Sequence, residues 1–182
     1  MRIRYNAPVT LTFTLTAVAV LLADGLAGGR LVAQAFSIGA SLEVSNPLQW
    51  PRLFTHALGH ANWTHFMGNF AFILLLGPIL EEKYGSGGLL FMMVLTAGIT
   101  GLINVLFMPT ALLGASGIVF MMILLVSFTN IRAGEIPLTF ILVVILFLTR
   151  ELVGVIGDDN IAQFAHIAGG ICGSLFGFTR SS

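Results

Sequence analysis

Apolar residues in this chain run in long, nearly unbroken stretches instead of the spaced stripes of a soluble helix. The stretches cover residues 9–29, 64–81, 88–108, 116–130, 137–155 and 162–179. Most of them approach the ~20 residues that a helix needs to cross a hydrocarbon core about 30 Å thick. The pattern predicts an all-α membrane protein, a bundle of six transmembrane helices, as a single domain over 1–182 with its core at about 45–180. Between stretches two and three, Glu81-Glu82-Lys83-Tyr84-Gly85-Ser86-Gly87-Gly88 reads as a tight reversal, with Gly85 suited to a left-handed helix cap. The longer connection, 34–62, carries Pro47, Trp50 and Pro51, with Trp63 just beyond it. Tryptophans there suit the headgroup layer.

Composition sharpens this picture. The chain has 182 residues, 57% hydrophobic and only 9% charged, with a mean hydropathy of +0.97, whereas soluble domains are about a quarter charged. Eight basic residues balance eight acidic ones, and no basic run is present to neutralise a nucleic-acid backbone, which excludes nucleic acid as a partner. Cys172 is the single cysteine. It has no disulfide partner and no second thiol for a zinc site, so packing between helices is its expected role.

The first stretch admits two readings. Arg2 and Arg4, the apolar run 9–23 and small residues near Ala27 also suit a cleaved signal peptide. A retained helix makes the span count even. Arg2, Arg4, Lys83, Arg132 and Arg180 then share one side against Arg30, Arg52 and Arg150, which places the N-terminus in the cytoplasm. No internal repeat is visible: three histidines lie in the first half and one in the second, unlike transporters built from related halves.

Polar groups at membrane depth are costly and call for a partner or a function. Gly114-Ala115-Ser116-Gly117 precedes an apolar run, which puts Ser116 at a helix N-terminus. Free backbone N–H groups and the positive end of the helix dipole there favour an oxyanion. The alternative is a plain Ser N-cap with glycines for packing. A serine nucleophile needs a base, and His166 is the histidine of the second half. Gly169, Gly173 and Gly177 follow it at four-residue spacing, a small-residue face that lets membrane helices approach closely, with Gly117 permitting the same on the Ser116 helix. His166 is then either the base of a Ser-His dyad or a histidine hydrogen-bonded between helices. His65 and Asn69 lie one turn apart on one face and can donate to a developing negative charge. His56 and His60 precede them. A three-histidine metal site is the rival reading, but no Cys, Asp or Glu lies between His56 and Glu81 to complete it. Interhelical hydrogen bonding is the expected role of His56 and His60, and neither metal nor cofactor is implied.

Trp50-Pro51-Arg52, His56-Ala57-Leu58-Gly59-His60, His65 with Asn69, the Glu81 to Gly87 turn, Gly114-Ala115-Ser116-Gly117, and Ala165-His166 with Gly169 and Gly173 together resemble one family, the rhomboid intramembrane serine proteases. The resemblance covers roughly 50–177. It implies a six-helix core whose serine begins a short fourth helix inside a water-filled cavity. Ser116 is then the nucleophile and His166 the base, with His65, Asn69 and the Ser116 N–H as the oxyanion hole. His60 corresponds to a residue supporting the cavity's hydrogen bonds, and Arg52 and Glu81 to structural polar positions. Gly114, Gly117, Gly169 and Gly173 fall in the same motifs. Two departures stand out. Pro51 interrupts the usual Trp-Arg pair, and Phe120 replaces a tyrosine that some members pack on the catalytic histidine.

The resemblance further implies substrates that are transmembrane segments with small residues before the cut, a bacterial plasma membrane as location, and mobile parts in the 132–137 loop and the fifth helix. Two other readings stay open: a non-catalytic rhomboid-like protein that binds membrane segments, and a transporter with a histidine proton relay.

Overall fold

The computed structural model describes residues 4–39, 41, 43, 45–127 and 160–180, with isolated helical positions at 138, 141–142 and 145–146. The predicted fifth span, the 132–137 loop and Arg150 therefore lie almost wholly outside the described residues. In chain order the helices are α1 (Pro8–Leu26), α2 (Leu31–Ala35), α3 (Arg52–Thr55), α4 (Trp63–Phe107), α5 (Ser116–Ser127) and α6 (Asn160–Arg180). Short 3-10 turns cover Pro47–Gln49 and His56–Leu58. No strand occurs among the described residues beyond an isolated bridge between Ile38 and Leu112.

The second and third expected spans are the two helical arms of α4, which meet at one non-helical residue. Gly85 has φ 73° and ψ 158°, a region that a residue with a Cβ rarely occupies. A straight helix of 45 residues would be about 68 Å long. Instead both ends of α4 meet the same loops: His65 packs on Gly114, and the Asn104 amide donates to the Thr110 carbonyl at 3.0 Å. The helix thus folds back on itself. Each arm, of about 22 residues, measures about 33 Å, close to the hydrocarbon thickness. Among the described residues α1 and α4 are long and apolar enough to cross a membrane.

α1 is tied to the foot of the first α4 arm by an uncommon cap. Ala7 precedes α1 and caps nothing with its side chain. The orphan N–H groups of Val9 and Thr10 donate instead to the Glu81 carboxylate at 2.9 and 3.0 Å. The Thr10 hydroxyl at 2.9 Å and the Ser86 hydroxyl at 2.7 Å complete the set. A carboxylate at a helix N-terminus also gains from the helix dipole. Gly77, one turn before Glu81, leaves just enough room for Thr10. The start of α1 and the Gly85 reversal therefore share one end of the molecule.

At the other end, the segment between α1 and α4 lies against the second α4 arm. A Cβ at Gly101 would run into the Leu53 backbone, and one at Gly98 into the Phe54 ring. The core beneath contains Phe66, Phe70, Ile73, Leu89, Met92, Met121 and Leu125.

Candidate functional site

Asn62, in extended conformation, caps α4 by accepting from the His65 N–H at 2.9 Å. This fixes the first turn and brings His65 and Asn69, four residues apart, onto one face. Buried Asn69 donates its amide to His60 Nε2 at 3.2 Å, and His60 Nδ1 faces the Leu58 carbonyl at 3.3 Å. A carbonyl accepts only, so the pairing is consistent with a neutral His60 protonated at Nδ1. His60 lies in the loop before α4, fully buried among the rings of His65, Phe66 and Phe70, with centroids 5.0–5.6 Å away. Burial first, then neighbouring His65, pushes its pKa from 6.5 down to about 4, against a smaller upward pull from the Leu58 carbonyl.

The segment leading to Ser116 is held from three sides. Ile38 and Leu112 exchange two backbone hydrogen bonds at 3.0 and 2.8 Å. Asn104 donates to the carbonyls of Gly39 and Thr110 at 3.3 and 3.0 Å. The Gly114 N–H donates to the His56 carbonyl at 2.9 Å, while the His56 ring bonds the Ala97 carbonyl at 3.1 Å. Gly114 itself has φ 108°, and a Cβ there would sit 2.7 Å from two atoms of the His65 ring. Both its backbone conformation and the space beside it require glycine.

Val119 N–H donates to the Ala115 carbonyl at 3.0 Å, the first bond of α5. Ala115 thus stands in the N-cap position and Ser116 is the first helical residue. The alternative of a serine N-cap is not what the structure has. The Ser116 N–H, in the first turn, is left without an intrahelical partner, and the Ser116 side chain is half-buried.

α6 packs along α5 with almost no gap. A Cβ on Gly169 would collide with the Gly117 carbonyl, and one on Gly173 with the Met121 carbonyl. Both contacts step by four residues in the same direction, so the two helices run parallel. His166, one turn before Gly169, is 7% exposed, and its ring centroid lies 4.3 Å from that of Phe120 at a tilt of 43°. Phe120 follows Ser116 by one turn, so the imidazole lies over the α5 face that Ser116 begins. Among the described residues the Ser116 hydroxyl makes no hydrogen bond. The contact of the His166 ring with Phe120 sets it near the start of α5.

The structure therefore gathers Ser116, Gly114, His65, Asn69, His60, Phe120 and His166 at one end of the bundle. It does not bring Arg52 and Glu81 together. Arg52 opens α3, with a buried Nε that has no partner among the described residues. Glu81 sits twelve residues beyond Asn69, about 18 Å along the helix. Sequence reasoning missed Asn104, although an asparagine inside an apolar span carried the needed signal. It also missed the His56 and Leu58 carbonyls, which no side-chain pattern could reveal.

The chain is 25% identical over 133 residues to the rhomboid protease GlpG of Haemophilus influenzae, a match covering 71% of this chain and 69% of that protein. The Rhomboid domain family model matches residues 47–182, which span every element of the site. On that match, this membrane protein belongs to the rhomboid family.

Proposed function

We propose that the protein is an intramembrane serine endopeptidase that cleaves transmembrane segments of other membrane proteins through Ser116 and His166. The observation that carries this reading is the convergence at the start of α5. The α6 helix presses His166 against Phe120, one turn after Ser116, while the His65 ring lies against Gly114, two residues before it. This brings base, nucleophile and two side-chain donors to the same end of the bundle, and acyl transfer requires all of them. In the proposed reaction the Ser116 oxygen attacks a peptide carbonyl as His166 takes its proton. His65, Asn69 and the Ser116 N–H stabilise the oxyanion. His166 then gives the proton to the departing amine, and water, deprotonated by the same histidine, releases the acyl group and restores Ser116.

The reading extends to six spans with a cytoplasmic N-terminus in a bacterial plasma membrane. The shared end of α1 and the Gly85 reversal supports a retained first span, which puts Arg4 and Lys83 on one side.

The Ser116 hydroxyl, without a hydrogen bond among the described residues, favours a second reading, a non-catalytic rhomboid-like protein that binds membrane helices. Such bonds often tighten only when substrate arrives, so the geometry is compatible with either. A serine-directed fluorophosphonate probe separates the two. The protease reading expects labelling of the wild type in detergent and none of Ser116→Ala or His166→Ala, both remaining folded. A folded wild type that stays unlabelled leaves the binding protein.

A further inference from the structure

A partly open cleft of about 500 Å³ lies between α1, the second arm of α4, the turn at 54–58 and Ile118 of α5. That volume falls in the roughly 300–1,000 Å³ of small-molecule sites. Its lining is apolar apart from three threonines, and each of their hydroxyls is already engaged. Thr16 donates to the Thr12 carbonyl at 2.8 Å, Thr12 shares a 3.0 Å bond with the Tyr5 hydroxyl, and Thr55 donates to the Ala35 carbonyl at 3.1 Å. With their protons so used, these hydroxyls keep only lone pairs for a water, which needs two to four polar partners to stay in such a place. The rim residues Leu90 and Val94 are 49% and 47% exposed on a helix of membrane-spanning length, so the cleft opens onto hydrocarbon. An apolar gap beside a hydrocarbon medium loses its dispersion contacts unless that medium fills it.

We propose that this cleft binds one acyl chain of a bilayer phospholipid. Its floor is also the back wall of the candidate site. Ala57 and Leu58 follow His56, whose carbonyl holds Gly114, and the Leu58 carbonyl faces His60. The Ala97 carbonyl accepts from His56, and Ile118 stands two residues after Ser116. A chain seated here braces those anchors from behind. The inference rests on the chain spanning a membrane and not on the proposed catalysis.

The test uses the full chain in phosphatidylcholine vesicles containing a trace of phosphatidylcholine with a diazirine midway along one acyl chain. After irradiation, adducts are mapped by mass spectrometry, without any substrate. Met93, Ala97 and Ile118 are 3%, 4% and 3% exposed, out of reach of lipids that merely surround the protein. Adducts on these three, at yields comparable with exposed Leu75 and Leu106, are the expected result. Thr16→Trp or Thr12→Phe, which fill the cleft from two heights, should remove most of that signal and spare Leu75 and Leu106, whose labelling reports a folded bundle. Thr16→Val, which keeps the space open, should change nothing. Floor residues left unlabelled beside labelled Leu75 and Leu106, or floor labelling indifferent to both filling variants, would overturn the proposal.

Discussion

Polar side chains are buried at both ends of the first arm of α4, on opposite terms. At the foot, Glu81 accepts four hydrogen bonds, three of them from the start of α1, and nothing of its carboxylate is spare. At the head, Asn69 and His60 share one bond, and the His65 ring rests on Gly114 without a hydrogen bond among the described residues. A saturated group joins helices; an unsaturated donor can still bind a developing charge. The comparison teaches that buried polarity in a membrane helix is no guide to chemistry until its partners are counted. The foot reads as architecture and the head as a site.

Substitutions at the two ends should separate stability from activity. The largest effect is expected for Glu81→Ala, which strands the Val9 and Thr10 donors at the start of α1. Loss of about 2–6 kcal/mol is expected, since each of the two stranded backbone donors costs roughly 1–3 kcal/mol. Thermal or SDS unfolding would show it, with activity per folded molecule little changed. Equal losses of stability and specific activity would break the distinction.

His65→Ala and Asn69→Ala should do the reverse, lowering kcat by about 10²–10³-fold, as removal of one oxyanion donor does elsewhere. For His65→Ala, unfolding should stay close to wild type. Asn69→Ala also removes a partner of His60, so it should cost measurable stability as well. Unchanged kcat in both variants would remove the oxyanion role.

An acid titration sharpens the contrast at the head. An unfolded histidine takes up its proton near the ordinary 6.5, whereas folded His60 resists until about 4. Protons therefore favour the unfolded chain, so this stability is complete above 6.5, falls as pH drops towards 4, and levels off below. Unfolding measured at pH 7, 5 and 4 should show this decline, and His60→Gln should flatten it. A slope that survives the substitution assigns the decline to other groups. The smallest effect is expected for Asn62→Ala, the cap that sets the His65 turn. A loss of about 1 kcal/mol is typical of such caps; a much larger one would mean that Asn62 does more than cap.

Much of this was legible beforehand. Apolar runs near membrane-crossing length gave helices close to α1, both α4 arms and α6, and Gly85 was readable as the reversal because few residues other than glycine turn a chain so sharply. The glycine spacing after His166 foretold close packing against the Ser116 helix, as Gly169 on Gly117 bears out. Arg52 and Glu81 were legible only as polar positions, because charges in a sequence do not reveal at which end of a helix each will stand. The Glu81 cap on α1 was equally hidden, since its donors are backbone groups 71 and 72 residues away.

The sequence by itself determined the medium, the helices and the residues able to do chemistry, because burial in hydrocarbon allows only apolar spans with internally bonded backbones and makes each polar exception conspicuous. The tertiary structure decided which exceptions meet. It placed His65 on Gly114, hung the Ser116 segment from the His56 carbonyl, and laid His166 over Phe120. Those choices depend on close backbone approach and on carbonyl and amide groups that every residue carries alike, and such groups acquire meaning only through position.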